Sequence, residues 1–193
     1  MKEKQTRYLK KMSGNPFIGN QYQISRNEPT YADYNDPLME DKSEITKGLV
    51  HKYNNRALVK VSYLCAAHCR FCTRIRQIGN PSGTLTEPDI DNIIESLRRN
   101  PEIDDVILSG GDPFFTPQIT RYILDALQTL ETVKIVRIGT RLPFQSPRSF
   151  ASKPILDLLA QVGHLCELKP VYILLHIEHP DELTPEAINV IRQ

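Results

Sequence analysis

Four times along the chain a short apolar run is followed by apolar residues at helical spacing, and this recurrence restricts the fold more than any other feature. The runs are ALVKVSYL from Ala57, DDVILSGGD from Asp104, VKIVRIG from Val133 and VYILLHI from Val171. Each has the length and β-branched content of a largely buried strand. Between them lie amphipathic helices. The first is opened by Thr86, Pro88 and Asp89, carries Ile90, Ile93, Ile94 and Leu97 on one face, and is stopped by Asn100-Pro101. The second starts at Thr116-Pro117 and presents Ile119, Tyr122, Ile123, Ala126, Leu127 and Leu130. Ile155, Leu158, Leu159 and Val162 line a third, expected to end at Gly163, and Thr184-Pro185 opens a fourth. Strand-helix units in series imply an α/β fold with parallel strands, whose reactive groups gather on loops at the C-terminal strand ends. Those loops carry CAAHCRFC, SGGD, GTRLP and HIEHP.

The first fifty residues differ. They are polar, carry turn signals at Asn15-Pro16, Glu28-Pro29 and Asp36-Pro37, and show helical periodicity only around Tyr8 to Met12. They read as an N-terminal arm or cap, residues 1–50, with one short helix, preceding a core over 51–193. A chain of 193 residues has the size of one domain. Its net charge of +1 and absence of a basic face argue against a nucleic-acid partner. No apolar run approaches a bilayer span, and no apolar stretch follows the basic N-terminus, so a cytoplasmic protein without a membrane partner is expected. An exposed sheet edge and a polar arm would allow a homo-oligomer.

Cys65, Cys69 and Cys72 are separated by three and two residues, while the only other cysteine, Cys166, lies far downstream and reads as a buried thiol. In a reducing compartment such a cluster suggests metal binding or catalysis rather than disulfides. A structural zinc ion wants four ligands; His68 could supply the fourth, although its neighbour Cys69 would also have to ligate. A ferredoxin-type cluster also wants four thiolates. Three thiolates on a four-iron, four-sulfur cluster leave one iron open to a ligand that is itself a cofactor.

That spacing, with Phe71 before the last cysteine, resembles the signature of the radical S-adenosylmethionine (SAM) superfamily, in which SAM binds the open iron and yields a 5′-deoxyadenosyl radical. Ser109, Gly110, Gly111 and Asp112 resemble the superfamily's glycine-rich segment, whose backbone and acidic group receive the SAM ammonium; glycines there would let the main chain approach the ligand. Within the superfamily, DPLMED, GLVHKYNNRALVKVSYLCAAHCRFCTRIR, VILSGGDP, IVRIGTRLP and LLHIEHPDELT resemble the lysine 2,3-aminomutase family from about Asp36 onward. The implied fold is a partial parallel (β/α) barrel with about four strand-helix units. The implied activity is a 1,2-amino migration on an amino acid, lysine first, held as an imine to pyridoxal 5′-phosphate (PLP).

By position in that resemblance, Cys65, Cys69 and Cys72 would ligate iron, and Phe71 and His176 would contact SAM. Arg56 would hold the PLP phosphate, Tyr53 would stack near its ring and Arg74 would pair with the substrate carboxylate. Alternation sends His176 and His179 in different directions, which argues against a shared metal. Arg141 matches a retained arginine without an assigned role. A reductant such as flavodoxin or ferredoxin would supply the electron.

No lysine of the chain matches the family's imine-forming lysine, and the fourth helix has barely begun at Gln193, so the sequence reads as the N-terminal part of a larger barrel. The alternatives are a shortened SAM- and cluster-binding homologue without mutase activity, a degenerate chain, and a zinc-stabilised non-enzymatic module using Cys65, His68, Cys69 and Cys72.

Overall fold

The computed structural model describes residues 3–23 and 36–193; the turn expected at Glu28-Pro29 lies outside them. The alternation written into the strand runs decides how the sheet packs. Strands β1 (Glu44–Thr46), β2 (Leu49–Tyr53), β3 (Arg56–Ser62), β4 (Asp105–Gly110), β5 (Ile135–Thr140) and β6 (Val171–Leu175) form one sheet in that order. β1, β2 and β3 pair antiparallel, and β3 to β6 pair parallel. The sheet is open, as expected of a partial barrel of the radical SAM type.

In register across the four parallel strands, Val59, Leu108, Ile138 and Ile173 form one row. This row faces the helices α3 (Glu87–Arg99), α4 (Pro117–Gln128) and α7 (Lys153–Cys166), whose apolar stripes complete the main core. The neighbouring row, Leu58, Ile107, Arg137 and Tyr172, points to the other face, which no helix among the described residues covers. Tyr172 and Leu174 on that face are exposed. Short helices α5 (Leu142–Gln145) and α6 (Pro147–Phe150) follow β5, and α8 (Pro185–Arg192) follows β6.

Several elements depart from the sequence reading. β1 and β2 form a hairpin that runs across residue 50, where only an arm was expected; three- and five-residue strands are too short to show alternation. Among its described residues the arm carries two α-helices, α1 (Arg7–Met12) and α2 (Pro16–Gly19), where one was expected. Their residues Leu9, Ile18 and Tyr22 form a second apolar cluster with Ala67 of the cysteine loop. α7 does not stop at Gly163: that glycine keeps a helical backbone and Leu165, one turn on from the stripe, is buried. The strands end at Ser62 and Leu175, short of Leu64 and Ile177.

The start of α3 is tied to the hairpin. The Thr86 backbone N–H donates to the Asp89 carboxylate at 2.9 Å, and Lys47 donates to the same oxygen at 2.6 Å. Lys47 first, then the Thr86 N–H, hold the Asp89 carboxyl down to about 2 from the ordinary 3.8. A carboxyl depressed on folding contributes stability above its unfolded pKa and loses it as pH falls through the folded one. Urea midpoints measured between pH 5 and pH 2 should therefore fall more steeply for the wild type than for Asp89→Asn over the window from 3.8 to about 2. On the core side, Leu108→Ala should cost about 2–5 kcal/mol. Leu174→Ala on the uncovered face should stay within about 0.5 kcal/mol in the same unfolding assay.

Candidate active site at the strand ends

β3 delivers the cysteine loop to the C-terminal edge of the sheet, and the N-terminal arm holds its backbone there. His68 N–H donates to the Lys4 carbonyl at 2.9 Å, Arg70 N–H to the Gln21 carbonyl at 2.7 Å, and Lys4 Nζ to the Cys65 carbonyl at 2.6 Å. Gly79 N–H closes the loop onto the Tyr63 carbonyl at 2.7 Å. Backbone groups with fixed partners cannot drift, so the three sulfurs have defined positions. All three cysteines are free thiols and line one cavity of about 320 Å³, together with Ser109, Gly110, Gly111 and His176. The sequence-predicted residues from three separate strand ends thus meet around a single space.

Burial pushes all three thiols above their ordinary pKa. Cys65 is raised well up by desolvation and then by the Asp112 carboxylate and the other two sulfurs. Cys69 rises to about 11, with Arg141 opposing the burial, and Cys72 rises with the Arg74 N–H opposing. Neutral thiols near pH 7 are poor nucleophiles, which argues against thiolate catalysis. Such thiols become thiolates when a cation takes the proton's place. Among the described residues no three His, Cys, Asp or Glu side chains converge as they would on one metal ion. The sulfurs instead border a cavity, an arrangement that fits a multi-iron cluster with a separate ligand at each corner. His68, which a zinc site would need, is buried with its ring beside Gly79 and stands outside this lining.

The glycines have a nearer reason than ligand approach. Gly110 adopts φ +103°, and a Cβ there would sit 2.6 Å from the Ser62 carbonyl oxygen; one on Gly111 would overlap the Leu64 backbone. They are glycines because the chain leaving β4 runs against the chain leaving β3, with Gly111 N–H on Ser62 O at 2.5 Å and Asp112 N–H on Leu64 O at 2.9 Å. Asp112 borders the same cavity, but its carboxylate is taken up by protein donors. Its carboxylate accepts from Thr140 Oγ1 with both oxygens at 2.9 Å, from Arg141 N–H at 2.9 Å and from Phe114 N–H at 3.0 Å. The acidic group expected to face a ligand is occupied in pinning the β4 loop to the β5 loop.

Phe71 and His176 lie edge to face, with centroids 5.7 Å apart at the cavity. His179 points elsewhere and stacks on Phe17 at 4.3 Å, as the alternation implied. Cys166 is exposed rather than buried, because α7 continues to it and its side chain leaves the core face.

A second cavity of about 190 Å³ adjoins the first and is lined by Tyr53, Arg56, Arg74, Glu40 and Ile107. Arg74 borders both. Each arginine is already paired. Arg56 Nε and Nη2 both reach Asp105 Oδ2 at 2.8 Å, and Arg137 Nε shares that carboxylate at 3.0 Å. Arg74 grips Glu40 through Nε at 2.7 Å and Nη2 at 2.5 Å, and reaches Ser109 Oγ at 3.3 Å. Tyr53 is exposed beside them.

Sequence reasoning gave Arg141 no role and missed its partners. Its Nη2 donates to Glu182 Oε2 at 2.5 Å and Gln21 Oε1 at 2.7 Å, and all three side chains are buried. Gln145 and Arg141 both reach Cys69. No spacing in the sequence relates positions 21, 69, 141, 145 and 182; only the fold does.

Gly110→Ala and Gly111→Ala should each destabilise the metal-free protein by about 1–3 kcal/mol or more in urea unfolding. Glycines serving ligand approach alone would leave its stability unchanged.

Residues 59–193 match the radical SAM superfamily. The chain is 36% identical over 157 residues to an L-lysine 2,3-aminomutase of Clostridium subterminale, covering 81% of this chain and 36% of that protein. The corresponding enzyme of Fusobacterium nucleatum is 35% identical over 157 residues, 81% of this chain and 35% of the relative. That of Bacillus subtilis is 34% identical over 164 residues, 82% and 32%. The chain spans about a third of the length of these curated relatives. With a superfamily match from β3 through α8 and three cysteines gathered at the strand ends, the chain belongs to the radical SAM superfamily and within it is similar to the lysine 2,3-aminomutases.

Proposed function

We propose that this chain is the cluster- and SAM-binding part of a radical SAM aminomutase that moves an amino group between adjacent carbons of an amino acid, lysine being the first substrate to try. The observation that carries this reading is the meeting of Cys65, Cys69 and Cys72 with the Ser109–Gly111 strand end around one cavity. When bound, a four-iron, four-sulfur cluster with SAM on its open iron supplies a 5′-deoxyadenosyl radical after one-electron reduction by a donor such as flavodoxin or ferredoxin.

The chain's own residues would then do the following. The three buried thiols release their protons on ligation. The Ser109–Gly111 main chain would offer acceptors to the SAM ammonium, with Asp112 holding that loop against the one leaving β5. Phe71, His176 and Leu174 would wall one side of the space that the radical occupies. Below them, Arg56 and Arg137 share a single carboxylate, which leaves one net positive charge to attract the PLP phosphate, with Tyr53 alongside. Arg74 would take the substrate carboxylate by exchanging it for Glu40. None of the lysines is assigned the PLP imine.

A cluster- and SAM-binding homologue without mutase activity is the second reading. It is favoured by the two arginines, Arg56 and Arg74, that the chain already pairs with Asp105 and Glu40. Both readings place the protein in the cytoplasm, with self-association through an open sheet edge; no helix among the described residues is long and apolar enough to cross a membrane.

Anaerobic reconstitution with iron and sulfide, followed by dithionite and SAM, should give 5′-deoxyadenosine detectable by chromatography. Cys65→Ala, Cys69→Ala and Cys72→Ala should each abolish iron loading, while Cys166→Ala leaves it intact. Iron retained in all three variants, or zinc without acid-labile sulfide, would sink the proposal. PLP binding, followed by its absorbance, should weaken at least tenfold in Arg56→Gln under the mutase reading and be absent from the wild type under the second.

A further inference from the structure

The three cysteines do not sit in equivalent surroundings. Gln145 Nε2 donates to Cys69 Sγ at 3.3 Å, and Arg141 Nη1 donates to the same sulfur at 3.7 Å. Both donors are buried, and both come from the segment that follows β5. Arg141 is aimed rather than loosely placed. Glu182 and Gln21 hold its Nη2, the ring of Phe71 lies 5.0 Å from its guanidinium carbon, and its own backbone N–H is fixed on Asp112.

We propose that Gln145 and Arg141 are tuning residues for the iron that Cys69 would hold: their N–H groups bond its thiolate and raise the reduction potential of the cluster. The inference rests on the cluster reading above and adds a role for residues that this reading leaves unused. Hydrogen bonds to a ligating sulfur withdraw electron density from the metal, and burial magnifies them. Reduction adds one electron, taken from a low-potential donor, and so one unit of negative charge shared between the irons and their thiolates. An N–H donor and a nearby guanidinium stabilise that added charge, so the reduced form gains more than the oxidised one. Glu182 balances the charge of Arg141, which leaves the directed N–H as the surviving contribution.

The test is a redox titration of the reconstituted protein, without SAM, in which the reduced-cluster signal is followed by electron paramagnetic resonance. Gln145→Met keeps the shape of the side chain and removes the donor. The double variant Arg141→Met with Glu182→Gln removes the second donor without stranding a buried carboxylate. Each should hold as much iron and sulfide as the wild type and show a midpoint shifted to more negative potential. A midpoint equal to the wild type's in either iron-replete variant would overturn the inference while leaving the cluster reading intact. A wild type that forms no cluster would overturn both, and is told apart from the first outcome by its iron and sulfide content. Should one variant fail to load iron, the other decides, since the two donors sit on separate side chains.

Discussion

A single buried carboxylate joins the parts of the strand-end surface. Asp112 accepts from its own turn at Phe114, from the Thr140 hydroxyl and from the Arg141 backbone, so the loop leaving β4 and the loop leaving β5 share one anchor. Its own N–H bonds the Leu64 carbonyl, which brings in the cysteine loop as a third member. Burial raises its pKa, and these donors oppose the rise. A buried carboxylate with three protein donors is costly to assemble and costlier to disturb, because losing any donor leaves an unsatisfied charge in a dry place. The positions of Cys65, Ser109 and Arg141 relative to one another all pass through this group.

The two faces of the sheet divide the labour. The Val59, Leu108, Ile138 and Ile173 row packs against three amphipathic helices and carries most of the burial that holds the fold together. The opposite face has Arg56, Asp105, Arg137 and Tyr172 at its lower end and the cysteine cavity above. Chemistry is thereby placed on the side that contributes least to the core, where polar residues can be kept without displacing apolar ones.

The fold was largely legible because its signals are local. Threonine-proline helix starts, stripes at helical spacing and four apolar runs can be read without knowing what lies nearby. The cysteine loop was legible for the same reason, since its three cysteines sit within eight residues. The β1–β2 hairpin escaped because its strands are too short for alternation to show, and Gly163 misled because a glycine can remain helical when nothing forces it out. What the sequence could not show is the buried polar network. Gln21, Arg141, Gln145 and Glu182 come from three distant segments and form one group only after the arm, β5 and the turn beyond β6 have docked. The glycine pair shows a subtler limit: the residue type was legible, but the backbone it yields to belongs to a strand end nearly fifty residues earlier.

The bonds between the N-terminal arm and the cysteine loop carry a thermodynamic corollary. Lys4 and Gln21 meet the main chain of Cys65, His68 and Arg70 in the loop that presents the sulfurs, and Leu9, Ile18 and Tyr22 close over Ala67 between them. Whatever occupies the cavity by gripping that loop must bind most tightly when the arm is docked. By reciprocity it fastens the arm with the same free energy. A segment that looks like a peripheral extension in the sequence is therefore linked to occupancy of the centre, and its docking reports whether the loop beneath it is filled.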